Sequence, residues 1–115
     1  MKIERINIVG FRSIQEFELE CGSSMNVIAG VNGAGKSSIL AAIEIGLSWA
    51  KARMRLKVSN GISPDVNDIN KHLKHLSIRI SASEEDTNLK WTINSYSPSY
   101  SGIIQKSDFQ ELNQL

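Results

Sequence analysis

Cysteine is almost missing from this 115-residue chain: Cys21 stands alone. It therefore makes no internal disulfide and no cysteine-based metal site, and a small buried or half-exposed thiol is expected. Long hydrophobic runs are missing too. The apolar stretches are too short and too interrupted to span a bilayer, and Met1-Lys2-Ile3-Glu4-Arg5 opens a strand rather than a secretory signal. A cytoplasmic protein with no membrane partner is the expectation. Net charge is also small, +1 overall, but unevenly placed. Residues 51–79 carry seven Lys/Arg against two Asp/Glu, while the segments on either side are acidic. That basic middle (Lys51, Arg53, Arg55, Lys57, Lys71, Lys74, Arg79) suits nucleic acid or nucleotide. It equally suits a solvated face whose first cations answer the dipole at a helix C-terminus. What the chain does have is 41% hydrophobic residues, enough for the core of one domain.

The most informative stretch is Val27-Ile28-Ala29-Gly30-Val31-Asn32-Gly33-Ala34-Gly35-Lys36-Ser37-Ser38. A short apolar run feeds a loop of the form GxxxxGK[ST], a P-loop. Glycines let backbone N–H groups close around phosphate oxygens with no Cβ in the way. Lys36 reaches the β- and γ-phosphates, and the Ser37 hydroxyl is placed to ligate Mg²⁺. The following helix turns its positive end and free N–H groups toward the same anion. Ser24 to Ala29 reads as a buried strand and Ser38 to about Met54 as a helix, so the motif sits at the junction its mechanism requires.

Before the loop, Ile3, Ile6, Ile8 and Val9 mark a strand over residues 2–9 ended by Gly10, and Phe17 and Leu19 alternate with Glu16, Glu18 and Glu20 in a second, antiparallel strand. Cys21-Gly22-Ser23 supplies the turn into Met25–Ala29. In the helix, Ile39, Leu40, Ile43, Leu47 and Ala50 predict one apolar stripe, with Trp49 near the end. Gly61 and Pro64 punctuate the loop that follows. The runs from Leu76 and from Leu89, separated by Glu84-Glu85-Asp86-Thr87-Asn88, predict a β-hairpin. Ser95 to Gly102 reads as an exposed loop, and Ser107-Asp108-Phe109-Gln110 as a capping box opening a helix with Phe109, Leu112 and Leu115 on one face. His72 and His75 stand three apart, but a strand from Leu76 separates their faces and nothing of suitable spacing completes a metal set.

The pattern Ile6-Asn-Ile-Val-Gly-Phe11-Arg12-Ser13, followed by Met25-Asn-Val-Ile-Ala-Gly30-Val-Asn32-Gly33-Ala-Gly35-Lys36-Ser37-Ser38, resembles the N-terminal lobe of ATPase heads of the RecF, SMC and OLD group, a branch of the ABC-type ATPases within the AAA proteins. Two strands and Phe11-Arg12-Ser13 precede the P-loop, as in these heads, and Asn32-Gly33 inside the loop is typical of them. The resemblance covers residues 1–94, leaving 95–115 as a polar loop and the start of a helix. It implies an α/β fold: a P-loop lobe with an N-terminal antiparallel β-hairpin, the P-loop strand and helix, and a second β-hairpin, an incomplete ATPase head. It further implies that Asn32, Gly33, Ala34, Gly35, Lys36, Ser37 and Ser38 hold ATP, that Ser37 holds Mg²⁺, that Arg12 lies close to the phosphates, and that Asp68-Ile69-Asn70 passes near the base.

No apolar run ending in Asp-Glu is found for a Walker B strand, and no Ser-Gly-Gly signature or later switch histidine. Hydrolysis in the resembled family needs a water-positioning carboxylate and a signature motif from an opposing head. The chain is therefore expected to bind nucleotide without hydrolysing it alone. Two readings follow. In one it is the ATP-binding lobe of a head that pairs with a second head, a homodimer in the full-length protein, in a DNA-processing, DNA-repair or phage-defence complex with DNA and a nuclease or effector. In the other it is a nucleotide-dependent interaction module without turnover.

Overall fold

The computed structural model describes residues 2–21, 34–53 and 61–113. The strand expected at Met25–Ala29, loop residues Gly30 to Gly33, and Met54, Arg55, Lys57 and Leu115 lie outside them. Four strands form one antiparallel sheet: β1 (Lys2–Phe11), β2 (Ile14–Glu20), β3 (His75–Glu84) and β4 (Thr87–Tyr96), in the order β2-β1-β3-β4. Both expected hairpins are present, and β1 joins them by pairing with β2 on one side and β3 on the other.

The registers explain why one face is dry. Leu19, Ile6, Ile80 and Trp91 align across all four strands, and Phe17, Ile8, Ile78 and Ile93 form the next row. Of these eight, all but the half-buried Phe17 are buried. Alternate positions such as Asn7, Glu18, Arg79 and Thr92 fall on the other face. Strand β1 alternates poorly in sequence because a bulge intervenes: Ile3 pairs with Ala82 and Arg5 with Ser81, so Glu4 is the extra residue. That insertion returns Ile3 and Ile6, three apart, to the same face. Strand β1 also runs past Gly10, at φ +68°, to Phe11. The β3–β4 turn is only Glu85-Asp86, both at positive φ, the hand that matches strand twist.

Helix α1 spans Ala34–Lys51, beginning four residues earlier than the sequence predicts. It packs on β1 and β3 through a stripe that keeps Ile39, Ala50 and the partly buried Ile43 of the expected one but not its two leucines. Leu40 and Leu47 are 44% and 37% exposed, whereas Ile39, Ala42, Ile45, Trp49 and Ala50 are buried. The cause is close approach. A Cβ on Gly46 would stand 2.3 Å from Ile80 Cδ1, and Trp91 Nε1 donates to the Gly46 carbonyl at 2.9 Å. The side of the helix that carries Gly46 therefore lies against the sheet, and Leu40 and Leu47 fall outside that contact.

After β4, residues 107–113 return to the structure. Thr92 and Asp108 exchange two backbone hydrogen bonds at 3.0 and 2.9 Å, covering the β4 edge. Helix α2 is the single turn Gln110–Asn113. Its cap is Asp108, whose carboxylate accepts from Gln110 N at 3.0 Å. Ser107, expected as the cap, is instead engaged with the backbone of Asn94, which lies across from it. Phe109 stacks on Trp49 with centroids 4.5 Å apart, and Leu112 is fully buried.

Gly10 and Gly46 should respond differently to alanine. A Cβ on Gly10 meets the His75 carbonyl oxygen at 1.9 Å, a backbone atom, in a left-handed conformation. Gly10→Ala is expected to cost about 3 kcal/mol. At Gly46 the obstacle is the far end of the Ile80 side chain, and better helix propensity returns up to about 1 kcal/mol. Urea denaturation of the two variants should give the larger loss for Gly10→Ala.

Candidate phosphate-binding site

Gly35, Lys36, Ser37 and Ser38 occupy the first turns of α1, an 18-residue helix with no acidic residue in its first turn. Lys36 is half-buried and Ser37 exposed, while Ser38 is buried at 4% exposure. An exposed hydroxyl beside a helix start bearing a lysine and no carboxylate suits a phosphate-bound cation, and the helix dipole favours an anion there. The backbone of Ala34 begins the helix. Asn32 and Gly33 lie outside the described residues.

Arg12 lies beside the segment that leads into β3. It is the first residue of the two-residue turn between β1 and β2 and adopts φ +56°, a conformation that costs a non-glycine residue about 1–2 kcal/mol. Segment 68–70 holds it there. Arg12 N donates to the Asp68 carbonyl at 2.6 Å, Asn70 N to the Gly10 carbonyl at 2.8 Å, and Asn70 Nδ2 to the Arg12 carbonyl at 2.8 Å. Asn70, 5% exposed, also accepts from His72 N and Leu73 N through Oδ1. The Arg12 side chain pairs with Asp68, Nε to Oδ1 at 3.0 Å, and its guanidinium lies 5.0 Å from the Phe11 ring centroid. Arg12, Ser13, Gln15, Asn70, Lys71 and His72 line a cleft of about 410 Å³.

Among the described residues, the hydrogen bonds of Arg12 join it to Asp68 and Asn70. The segment Asp68-Ile69-Asn70 is more than a connecting loop: Val66–Asp68 is a short 3-10 helix, and Ile69 forms a bridge with Phe11. Sequence reasoning missed the partnership because its members are more than 50 positions apart. The only local signal was the abundance of Asp and Asn, which favour turns.

The basic middle divides. Lys51 sits in the last turn of α1, as the dipole reading expects. Arg53 lies over Trp49 and Phe109, 5.5 and 5.2 Å from their centroids, with its buried Nε unpaired among the described residues. Lys71, Lys74 and Arg79 are exposed. His75 opens β3 while His72 lies in the preceding turn, so they share no helix face. Burial raises the pKa of the half-buried Cys21 thiol, which favours its neutral form. Among the described residues no helix is long and apolar enough to cross a membrane.

A family model described as AAA domain matches residues 5–114. The chain belongs to this AAA-domain family. Its similarity to known members concentrates in part of its length. It is 46% identical over 57 residues, half of this chain, to the DNA double-strand break repair Rad50 ATPase of Pyrococcus abyssi. It is 31% identical over 72 residues, 63% of this chain, to the DNA replication and repair protein RecF of Chromohalobacter salexigens. With structural maintenance of chromosomes protein 6 of Saccharomyces cerevisiae it shares 52% over 50 residues, 44% of this chain. The matched parts amount to 6%, 20% and 4% of those three proteins. The chain is thus an AAA-family domain related to the Rad50, RecF and SMC proteins, and membership implies nucleotide binding.

The Asn70 network can be tested apart from any ligand. Asn70→Ala strands the Arg12 carbonyl and two backbone N–H groups and should cost about 2–3 kcal/mol. Asn70→Asp is nearly isosteric but sets a carboxylate oxygen against that carbonyl, so it should also destabilise. Equal urea midpoints for Asn70→Asp and wild type would contradict the assignment.

Proposed function

We propose that this chain is the N-terminal, ATP-binding lobe of an ATPase head of the Rad50, RecF and SMC type. Gly30 to Ser38 wrap the triphosphate, Lys36 neutralises its β- and γ-phosphates, and Ser37 supplies a hydroxyl to Mg²⁺. Arg12 approaches the phosphates from the β1–β2 turn. The observation that carries this reading is the position of Gly35-Lys36-Ser37-Ser38 at the start of α1, a helix whose Ile39, Ala42 and Ile45 are buried in the core it shares with the sheet. ATP and Mg²⁺ supply the phosphate charge and the bridging cation; the chain supplies the donors, the lysine and the helix dipole. The printed functions of the relatives, double-strand break repair and DNA replication and repair, favour a DNA-processing role in which ATP closes two heads upon each other, with DNA and a nuclease or effector as partners. Phage defence is a further setting for the same machinery.

Turnover requires a carboxylate that positions water and a signature motif opposite the γ-phosphate, and neither is recognisable in these 115 residues. The chain should bind Mg²⁺-ATP weakly and hydrolyse it negligibly. Calorimetric titration together with a phosphate-release assay tests this: Lys36→Ala should abolish binding, and Arg12→Ala should weaken it less. Turnover near 1 per second, at the low end for ordinary enzymes, would reveal a catalytic carboxylate within the chain. Binding without turnover even when the lobe is part of an assembled head would favour the nucleotide-dependent interaction module.

A further inference from the structure

We infer that Asp68 is a positioning residue for nucleotide binding, acting through Arg12; the inference rests on the phosphate-binding reading above. Asp68 meets the guanidinium from the side, at Nε. Its Oδ1 accepts from Nε at 3.0 Å, while its Oδ2 accepts from Asp65 N at 3.0 Å. The carboxylate is therefore held by its own 3-10 turn, and its side chain is only 16% exposed against 42% for Arg12. On the arginine side, the Phe11 ring lies against the guanidinium and the backbone is fixed at φ +56° by hydrogen bonds to Asp68 and Asn70. Neither Nη1 nor Nη2 has a hydrogen-bond partner among the described residues, so none of these residues occupies the fork that recognises a phosphate bidentately.

This geometry differs from that of a sequestered arginine. A carboxylate taking both terminal nitrogens would compete with phosphate for the same donors. A carboxylate on Nε alone removes rotamer freedom from a long side chain before the ligand arrives, which lowers the entropy lost on binding. Asp68 should therefore strengthen binding despite its negative charge.

The test is a double-mutant cycle in the full chain, read by calorimetric titration with Mg²⁺-ATP and accompanied by the melting temperature of each variant. Asp68→Asn removes the charge and one acceptor and should weaken binding about fivefold, the scale of a partly exposed ion pair. In the Arg12→Ala background the same change should have no effect on affinity, because the residue through which Asp68 acts is gone. Arg12→Lys keeps the charge but not the Nε anchor, and should make affinity insensitive to Asp68→Asn; it reads out the coupling even if Arg12→Ala folds poorly. Asp68→Glu should restore part of the loss.

Unchanged or tighter binding by Asp68→Asn, with Lys36→Ala still abolishing it, would overturn the positioning role while leaving the phosphate site standing. An equal loss in both Arg12 backgrounds would overturn it too, since that is the mark of a purely structural turn. Wild-type affinity in Lys36→Ala would overturn the phosphate-site reading and this inference with it.

Discussion

The contact between Gly46 and the β3–β4 hairpin is the constraint on which most of the structure depends. Trp91 is 1% exposed and donates to the Gly46 carbonyl, and Ile80 fills the space a side chain at 46 would need. A buried indole N–H without a partner is costly, and the Gly46 carbonyl supplies that partner. The contact sets both the distance and the rotation of α1. Ile39, Ala42, Ile45 and Trp49 then face the sheet, and the helix's first turns, with Gly35, Lys36 and Ser37, are placed with them.

The far end of α1 is secured differently. Ser48 Oγ donates to the Ile45 carbonyl and accepts from Ile62 N, while Trp49 Nε1 donates to the Ile62 carbonyl. Phe109 closes over the same indole, with Arg53 against both rings. A polar clamp and an aromatic stack together hold the chain leaving the helix. The residues after β4 thus belong to the same packing unit as the helix, and Leu112 is as buried as the centre of the sheet.

Arg12 illustrates how a strained residue is kept at a candidate site. Its left-handed backbone persists because a segment distant in sequence supplies three hydrogen bonds around it, two at the residue itself and one at Gly10. The buried Asn70 carries the side-chain part of that support, and Asp68 adds the ion pair. Strain of about 1–3 kcal/mol is retained in folded proteins where surrounding structure over-determines it, and such positions cluster at ligand sites.

The sequence alone determined the two hairpins, the main helix and the motif at its start, because period-two alternation and glycine-rich spacing are local signals. It also carried the family, since Phe11-Arg12-Ser13 and the loop through Ser38 sit in characteristic order. Three things were decided only by tertiary structure. The rotation of α1 that leaves Leu40 and Leu47 exposed while Ile39 and Ile45 are buried follows from the close approach at Gly46. Asp108 rather than Ser107 caps the last helix because Ser107 is engaged by Asn94 across the β4 edge. Asp68 and Asn70 reach Arg12 because β1 and β3 pair, bringing the turn at the end of β1 beside the segment that leads into β3. Contacts between residues more than 50 positions apart leave no periodic trace in a single chain, so they become visible only once the strands are side by side.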